Sequence, residues 1–257
     1  MEAVSDRCWL VTYFPVAWLA HVCQGMAMGI LGPVQPYLAL MVGVSNSSIN
    51  LIWTLRALGS CLATILTGIV FKTYIKHQRL KLLFLSTCVL LIGIFIGLVP
   101  LAATFYHLLI GKICFSLNPM LTSIFVAILL AGFFLGSLDT ASNSLVLYML
   151  GPLRSPPFTQ SLHAMVALGF TLGSLVVRPY LPDNDQGSSD NVCDGFAQND
   201  TINSNTTAFI SDDSPDPSVS IDAKNIPNLV WPFSIICLVH IVCAVGYLSI
   251  SKSYIES

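Results

Sequence analysis

Residues 8–55 read CWLVTYFPVAWLAHVCQGMAMGILGPVQPYLALMVGVSNSSINLIWTL and contain no Asp, Glu, Lys or Arg. A helix that crosses a bilayer needs about 20 predominantly apolar residues. This stretch therefore holds one whole crossing and the start of a second. The rest of the chain repeats the pattern. Of 257 residues, 9% are charged and 54% hydrophobic, with a mean hydropathy of +0.76. A soluble domain carries about 25% charged residues, so a water-soluble fold is excluded. A net charge of −2 also argues against nucleic-acid binding.

Charge-free apolar runs predict six helices, near 10–31, 49–71, 82–101, 122–148, 158–180 and 229–250. Turn chemistry predicts the connections: Gly32-Pro33 and Pro36 after the first, Pro100 after the third, Gly151-Pro152 and Pro156-Pro157 after the fourth, Pro179 and Pro182 after the fifth. The first run is too long for a secretory h-region and has no clean small-x-small cleavage site. With the N-terminus in the cytosol, the inner side carries Arg7, Lys72, Lys76, Arg79, Lys81, Arg154 and Lys252, against Lys112 and Lys224 outside. That is a positive-inside bias, with both termini cytoplasmic. The three N-x-[ST] sequons, at Asn46, Asn199 and Asn205, all fall on the outer side and read as glycosylation acceptors. Residues 182–228 are polar and rich in Asp, a composition that buries too little apolar surface to fold, and read as a disordered extracellular loop.

Of the eight Cys, Cys8, Cys23, Cys61, Cys88, Cys237 and Cys243 lie in or beside predicted spans and read as packing residues. Cys193, with Cys114 as a candidate disulfide partner, lies outside. No Cys/His spacing resembles a metal site and no nucleophile or phosphate motif is present, so neither an enzyme nor a metal centre is expected. Four spans carry G-x-x-x-G pairs, Gly25/Gly29, Gly93/Gly97, Gly132/Gly136 and Gly169/Gly173. Such pairs let helix backbones approach closely and predict a tight bundle.

Against so apolar a background, Asp139 stands out as the one acidic residue inside a predicted span. A carboxylate at that depth is costly and marks a functional path or a buried partner. Desolvation favours its protonated form and a bound cation its ionised form, so it is a candidate cation-coupling residue. Asn143 lies one turn further on the same face. Span five returns Gln160 and His163 to a similar depth, and these groups donate and accept hydrogen bonds as a polyhydroxy ligand requires. Arg56, about 10 Å from Asp139 along the axis at 1.5 Å per residue, reads as a substrate-path residue or a snorkelling cation. Trp53 reads as a stacking surface for a sugar ring or an interfacial anchor. His21 and Gln24 are the polar groups of span one able to face a cavity.

Gly136-Ser-Leu-Asp139-Thr140-Ala-Ser-Asn143 resembles the helix-four motif of the sodium-dependent glucose transporters of the major facilitator superfamily. The related fucose:proton symporters carry glutamate at the position of Asp139. Leu31-Gly32-Pro33, Arg56-Ala-Leu-Gly59, Phe158-Thr-Gln160-Ser-Leu-His163 with Gly169, and Lys224-Asn225 with Leu229-Val-Trp231 extend the resemblance in order along nearly the whole chain. The superfamily loop motif G-x-x-x-D-R-x-G-R is degraded to Gly68-Ile-Val-Phe-Lys72-Thr-Tyr74, without its aspartate. Residues 105–120 look longer than the corresponding loop of the family.

The resemblance implies an all-α membrane protein: residues 1–257 as the N-terminal six-helix half of a major-facilitator fold, three plus three helices in inverted topology. It implies a cation-coupled monosaccharide transporter at the plasma membrane, apical in a polarised cell, taking up glucose by alternating access. Na+ or H+ serves as coupling ion, no other cofactor is needed, and a second six-helix half is the partner. Asp139 and Asn143 then stand in the cation-coupling position, and Gln160, His163, Arg56, Gln24 and Trp53 near the sugar. Two other classes stay open: a six-span homodimeric channel or carrier, and a transport-inactive membrane interaction protein.

Overall fold

The computed structural model describes residues 2–42, 44–75, 77–101, 119–181 and 228–256, and every regular element among them is helical. Chain order is α1 (Glu2–Gly29), α2 (Leu31–Val42), α3 (Asn46–Ile49), α4 (Leu51–Thr73), α5 (Gln78–Leu98) with a 3-10 turn at Val99–Leu101, α6 (Pro119–Val177) with a 3-10 turn at Arg178–Tyr180, and α7 (Val230–Glu256). Among the described residues, five apolar helical stretches are long enough to cross a membrane: Thr12–Ala39, Leu51–Thr73, Gln78–Leu101, Leu121–Tyr180 and Val230–Lys252. The chain is a multi-pass membrane protein. Leu58, Leu62, Ile65, Leu66 and Ile69 lie exposed along α4, giving the bundle the apolar exterior that a lipid environment favours.

The stretch Leu121–Tyr180 is 60 residues long, roughly 90 Å at 1.5 Å per residue, three times the thickness of a hydrocarbon core. Gly151 divides it, with φ 71° and ψ 171°. That backbone conformation is open essentially to glycine alone. Pro152 follows, with its φ already suited to the first turn of a new helix. The arm before the break, 119–150, and the arm after it, 152–177, have different partners.

The contacts fix the direction of each helix. Along α1, Phe14 stacks on Phe158 with ring centroids 4.4 Å apart, Trp18 Nε1 donates to Ser161 Oγ at 2.9 Å, and Ser174 Oγ donates to the Gly29 carbonyl at 3.0 Å. The second arm of α6 therefore runs parallel to α1. Arg56 and Ser60 of α4 meet Gly132 and Gly136, so the first arm runs parallel to α4. Lys81 lies 3.9 Å from the Tyr148 ring centroid while Phe95 stacks on Phe134, which sets α5 antiparallel to that first arm. Ser86 Oγ donates to the Ala244 carbonyl and Gly93 faces His240, setting α7 antiparallel to α5. Tyr13 meets Tyr247 while Cys23 reaches the Val239 carbonyl, setting α7 antiparallel to α1 as well. The two arms of α6 consequently run in opposite directions.

Glycine makes the closest of these approaches. A Cβ added to Gly25, Gly29, Gly59, Gly132 or Gly169 would fall well inside van der Waals contact distance of a carbonyl oxygen on the facing helix: Val166, Phe170, Leu129, Arg56 and Val22 respectively. At Gly136 and Gly173 it would stand 2.5 Å from the carbonyls of Ser60 and Met26. Such spacing permits Cα–H to carbonyl contacts between backbones. The pairs at Gly25/Gly29, Gly132/Gly136 and Gly169/Gly173 thus act in backbone packing. Gly93 faces a side chain instead, His240 Cβ at 2.5 Å from an added methyl.

Several sequence expectations are corrected. Gly32-Pro33 and Pro36 do not end the first helix. A single turn residue, Ile30, separates α1 from α2, and helical structure continues to Val42. Pro33 sits in the first turn of α2, where the missing N–H costs nothing. Pro156 and Pro157 lie inside the helix rather than in a connection, and neighbouring elements in a bundle tolerate the freed carbonyls. The break is at Gly151 alone. Asn199, Asn205, Cys114, Cys193, residues 105–118 and the predicted ectoloop at 182–227 lie outside the described residues.

Gly169→Val and Gly132→Val should each lower the thermal midpoint of the purified protein, by overpacking of about 1–3 kcal/mol. Gly68→Ala, where an added methyl meets nothing within 4 Å, should leave the midpoint unchanged or slightly raised. Equal midpoints for all three variants would refute close packing at these glycines.

Candidate functional site

The polar residues singled out in the sequence lie on α1, α4 and the two arms of α6, and the interhelical contacts assign them heights. The Tyr13 hydroxyl interacts with Ser142 of the first arm, so these two residues mark a common level. At 1.5 Å per residue, Asp139 stands about 4.5 Å above that level and Asn143 about 1.5 Å below it. From the Phe14–Phe158 stack, Gln160 falls about 4.5 Å up, beside Asp139 in depth, and His163 about 9 Å up. His21 is about 12 Å up. Arg56, level with Gly132, and Gln24 are both at about 15–17 Å. The groups form a ladder that rises through the bundle rather than a single cluster.

The lower rungs are held by the pairing of α1 with the second arm and of Tyr13 with Ser142. Asp139 is half-buried, whereas Gln160 and His163 are exposed on the second arm. Asn143 has its Oδ1 buried without a hydrogen-bond partner. Gln160 and Asp139 share a depth, but His163 stands about 10 Å above Asn143, so span five does not bring both of its polar residues to the one level expected from the spacing.

His21 is the residue whose importance the sequence understated. It is fully buried, and its Nδ1 lies 2.8 Å from the Ala17 carbonyl, one turn back on α1. A carbonyl only accepts, so Nδ1 carries the hydrogen and Nε2 of the neutral ring is left as an acceptor. That Nε2 is buried and has no partner. Asp139 from one arm of α6 and His163 from the other both lie within electrostatic reach of the ring.

The upper rungs are arranged differently. Gln24 is buried, with Oε1 unpartnered. Arg56 holds its guanidinium carbon 5.5 Å from the Trp53 ring centroid, a cation–π contact, and its buried Nε has no hydrogen-bond partner. Arg56 does not reach Asp139, in keeping with their separation in height. Trp53 donates Nε1 to Gln35 Oε1 at 2.8 Å, and Gln35 Nε2 donates to Asn50 Oδ1. The indole is thus tied to α2 and to the turn before α4, with one face under Arg56. Asn46 begins the short helix α3.

One further buried histidine escaped the sequence reading. His240 of α7 repeats the His21 arrangement, with Nδ1 2.8 Å from the Ile236 carbonyl and a buried, unpartnered Nε2. It packs against Gly93, and among the described residues no charged group acts on it. The signal available in sequence was the Gly93/Gly97 pair, which makes room for a bulky partner.

Comparison with known proteins agrees with the motif resemblance. The chain is similar to human sodium-dependent glucose transporter 1 (Homo sapiens), 27% identical over 212 residues that cover 82% of this chain and 35% of that protein. The chain thus spans about a third of the length of the curated relative it matches. No protein-family model matches the chain, and no solved structure matches it.

The exposure of the second arm is testable by thiol labelling in a background in which the eight native cysteines, the exposed Cys61 among them, are replaced. Cysteines placed at Gln160 and His163 should react with a charged maleimide about tenfold or more faster than one at Gln24, because reaction needs a hydrated thiolate. Comparable rates at all three positions would place Gln24 in the same aqueous environment and contradict its burial.

Proposed function

We propose that the chain is a six-helix half of a major-facilitator transporter that takes up a monosaccharide, glucose first, with a cation. Counting the two arms of α6 separately gives six passes. Their pairings support a three-plus-three repeat: span one with span five, span two with span four, and span three with span six. Exchanging the first three spans for the last three turns the first pairing into the second and the third into itself. This is the inverted repeat expected of such a half. The contacts in α5, α6 and α7 collect Lys72, Arg79, Lys81, Arg154 and Lys252 at one end of the bundle, which supports a cytoplasmic assignment for that end. The similarity to a sodium-dependent glucose transporter supports the substrate class.

The observation that carries this reading is the ladder of unpartnered acceptors around Asp139. Buried polar groups are normally hydrogen-bonded, and a bundle that leaves His21, Gln24 and Asn143 each with an open acceptor is suited to a ligand rich in donors. Hydroxyl groups of a sugar supply them. Asp139 and Asn143 form the cation-coupling station, Gln160 and His163 the sugar contacts beside it, and Arg56 with Trp53 and Gln24 the outer approach. Alternating access follows from rocking this unit against a second six-helix unit across the Asp139 face. Asn46 and the sequons at Asn199 and Asn205 are then extracellular glycosylation sites, with residues 182–228 as the loop that carries the last two.

Vesicle uptake tests the reading. With a second six-helix unit present, labelled glucose should accumulate under an imposed Na+ or H+ gradient. Asp139→Asn should reduce accumulation about tenfold or more, within the range of coupling free energies of about 1–3 kcal/mol. Accumulation undiminished by Asp139→Asn would sink the coupling role, and uptake by a cross-linked pair of this chain alone would favour the homodimeric carrier.

A further inference from the structure

Lys81 departs from the pattern of the other cations at its end of the bundle. Lys72, Arg79, Arg154 and Lys252 are exposed, whereas Lys81, in the first turn of α5, is only 8% exposed. Its ammonium lies 3.9 Å from the ring centroid of Tyr148, a residue that is itself 65% exposed. The aliphatic stem is thus packed into the bundle while the charge stands at the rim, over an aromatic face that attracts it. Among the described residues the side chain has no hydrogen-bond or ion-pair partner. Asp139 stands about 13–14 Å away along the axis, and neither the 72–81 connection nor the turn at Gly151 contains an Asp or Glu.

The surroundings are basic, aromatic and apolar. Measured from the Ser86–Ala244 bond, Arg79 falls about 3 Å and Lys252 about 4.5 Å further out than Lys81. By sequence this end carries seven Lys and Arg against three carboxylates, Glu2, Asp6 and Glu256, so it is electropositive. Tyr74 and Tyr148 are both exposed here, as aromatic residues at headgroup height are. Leu80 and Leu147, beside Lys81 and Tyr148 in sequence, are exposed too. The N-terminus of α5 opens at the same level, and its N-cap, His77, makes no side-chain cap bond, which leaves backbone N–H donors there.

We infer that Lys81, held by Tyr148, binds the phosphate of an acidic phospholipid at the basic end of the bundle, a site independent of the sugar reading. The ring covers one side of the ammonium, and the remaining N–H donors are left for phosphate oxygens. Arg79 and Lys252 favour a headgroup of net negative charge. A zwitterionic headgroup brings its own cation to the same basic rim and is disfavoured. Leu80 and Leu147 supply apolar surface for the acyl chains, which a free phosphate ion lacks. Because the stem of Lys81 is already packed, binding orders the lipid and little of the protein.

Native mass spectrometry of the full chain, released from detergent with phosphatidylglycerol or phosphatidylcholine of the same acyl chains, tests the site without any sugar. The first phosphatidylglycerol should bind about tenfold or more tighter than phosphatidylcholine. Lys81→Gln should weaken it about tenfold or more, as loss of charge-assisted hydrogen bonds does, whereas Lys72→Gln, at an exposed cation, should weaken it about two- to fivefold at most. Tyr148→Leu should cost about two- to fivefold and Tyr148→Phe, which keeps the aromatic face, should cost nothing. Lys81→Arg should retain the preference and so separates loss of the site from loss of the fold. Equal affinity for the two lipids, or equal losses in Lys81→Gln and Lys72→Gln, would overturn the site. Displacement of the lipid by inorganic phosphate at constant ionic strength would overturn the assignment to a phospholipid. Either failure would leave the hexose reading standing, and lipid selectivity in a chain that accumulates no sugar would leave the lipid site standing.

Discussion

The fold depends on backbone-to-backbone contact at glycine, made twice by related helix pairs. Gly25 and Gly29 of α1 interlock with Gly169 and Gly173 of the second α6 arm, and Gly59 of α4 interlocks with Gly132 and Gly136 of the first arm. In lipid there is little hydrophobic gain from bringing two apolar helices together, so close packing and interhelical hydrogen bonds must hold them. Both are present at these seams. Trp18 to Ser161 and Ser174 to the Gly29 carbonyl tie one seam, and Thr67 to Ser137 ties the other at 3.0 Å.

Those seams decide where the polar residues go. Packing α1 on the second arm sets His21 about 3 Å above the upper end of the Gln160–His163 turn. The reach of Tyr13 to Ser142 aligns the same helix with Asp139. The third pairing, α5 with α7, is made differently: Gly93 and Gly97 receive the side chains of His240 and Cys237 rather than a backbone. That seam is spaced by side chains and encloses an imidazole. A single glycine conformation at Gly151 permits all three pairings, because it lets one long apolar stretch turn back and supply two helices of opposite direction.

Much of this was legible in the sequence for a simple reason. A bilayer imposes a length on each crossing, and an absence of charge over residues 8–55 can be counted. The glycine pairs were equally legible, since a four-residue spacing puts both on one face. Boundaries were harder. Pro33 and Pro36 look like breaks, yet proline is compatible with a helix start and a bundle tolerates a lost donor, so helix persists to Val42. Pro156-Pro157 misled in the same way, and Gly151 did the turning alone. The site was legible where a residue was chemically rare, as with Asp139, and illegible where orientation mattered. Spans that are apolar all round carry no periodicity to say which face is inside. His21 and His240 therefore could not be separated from interfacial histidines until their neighbours were placed, and the mismatch in height between Arg56 and Asp139 could be counted but not resolved into the Trp53 contact.

The central claim is that a ladder of open acceptors around Asp139 receives a hydroxyl-rich ligand together with a cation. Equilibrium binding of glucose to the chain in lipid nanodiscs, measured at several pH values and sodium concentrations, tests it most directly when Asp139→Asn is run beside it. The account predicts saturable binding that varies with cation concentration in the wild-type chain and loses that dependence in the variant. Glucose binding equally insensitive to cation in both proteins, or absent from both, would contradict it.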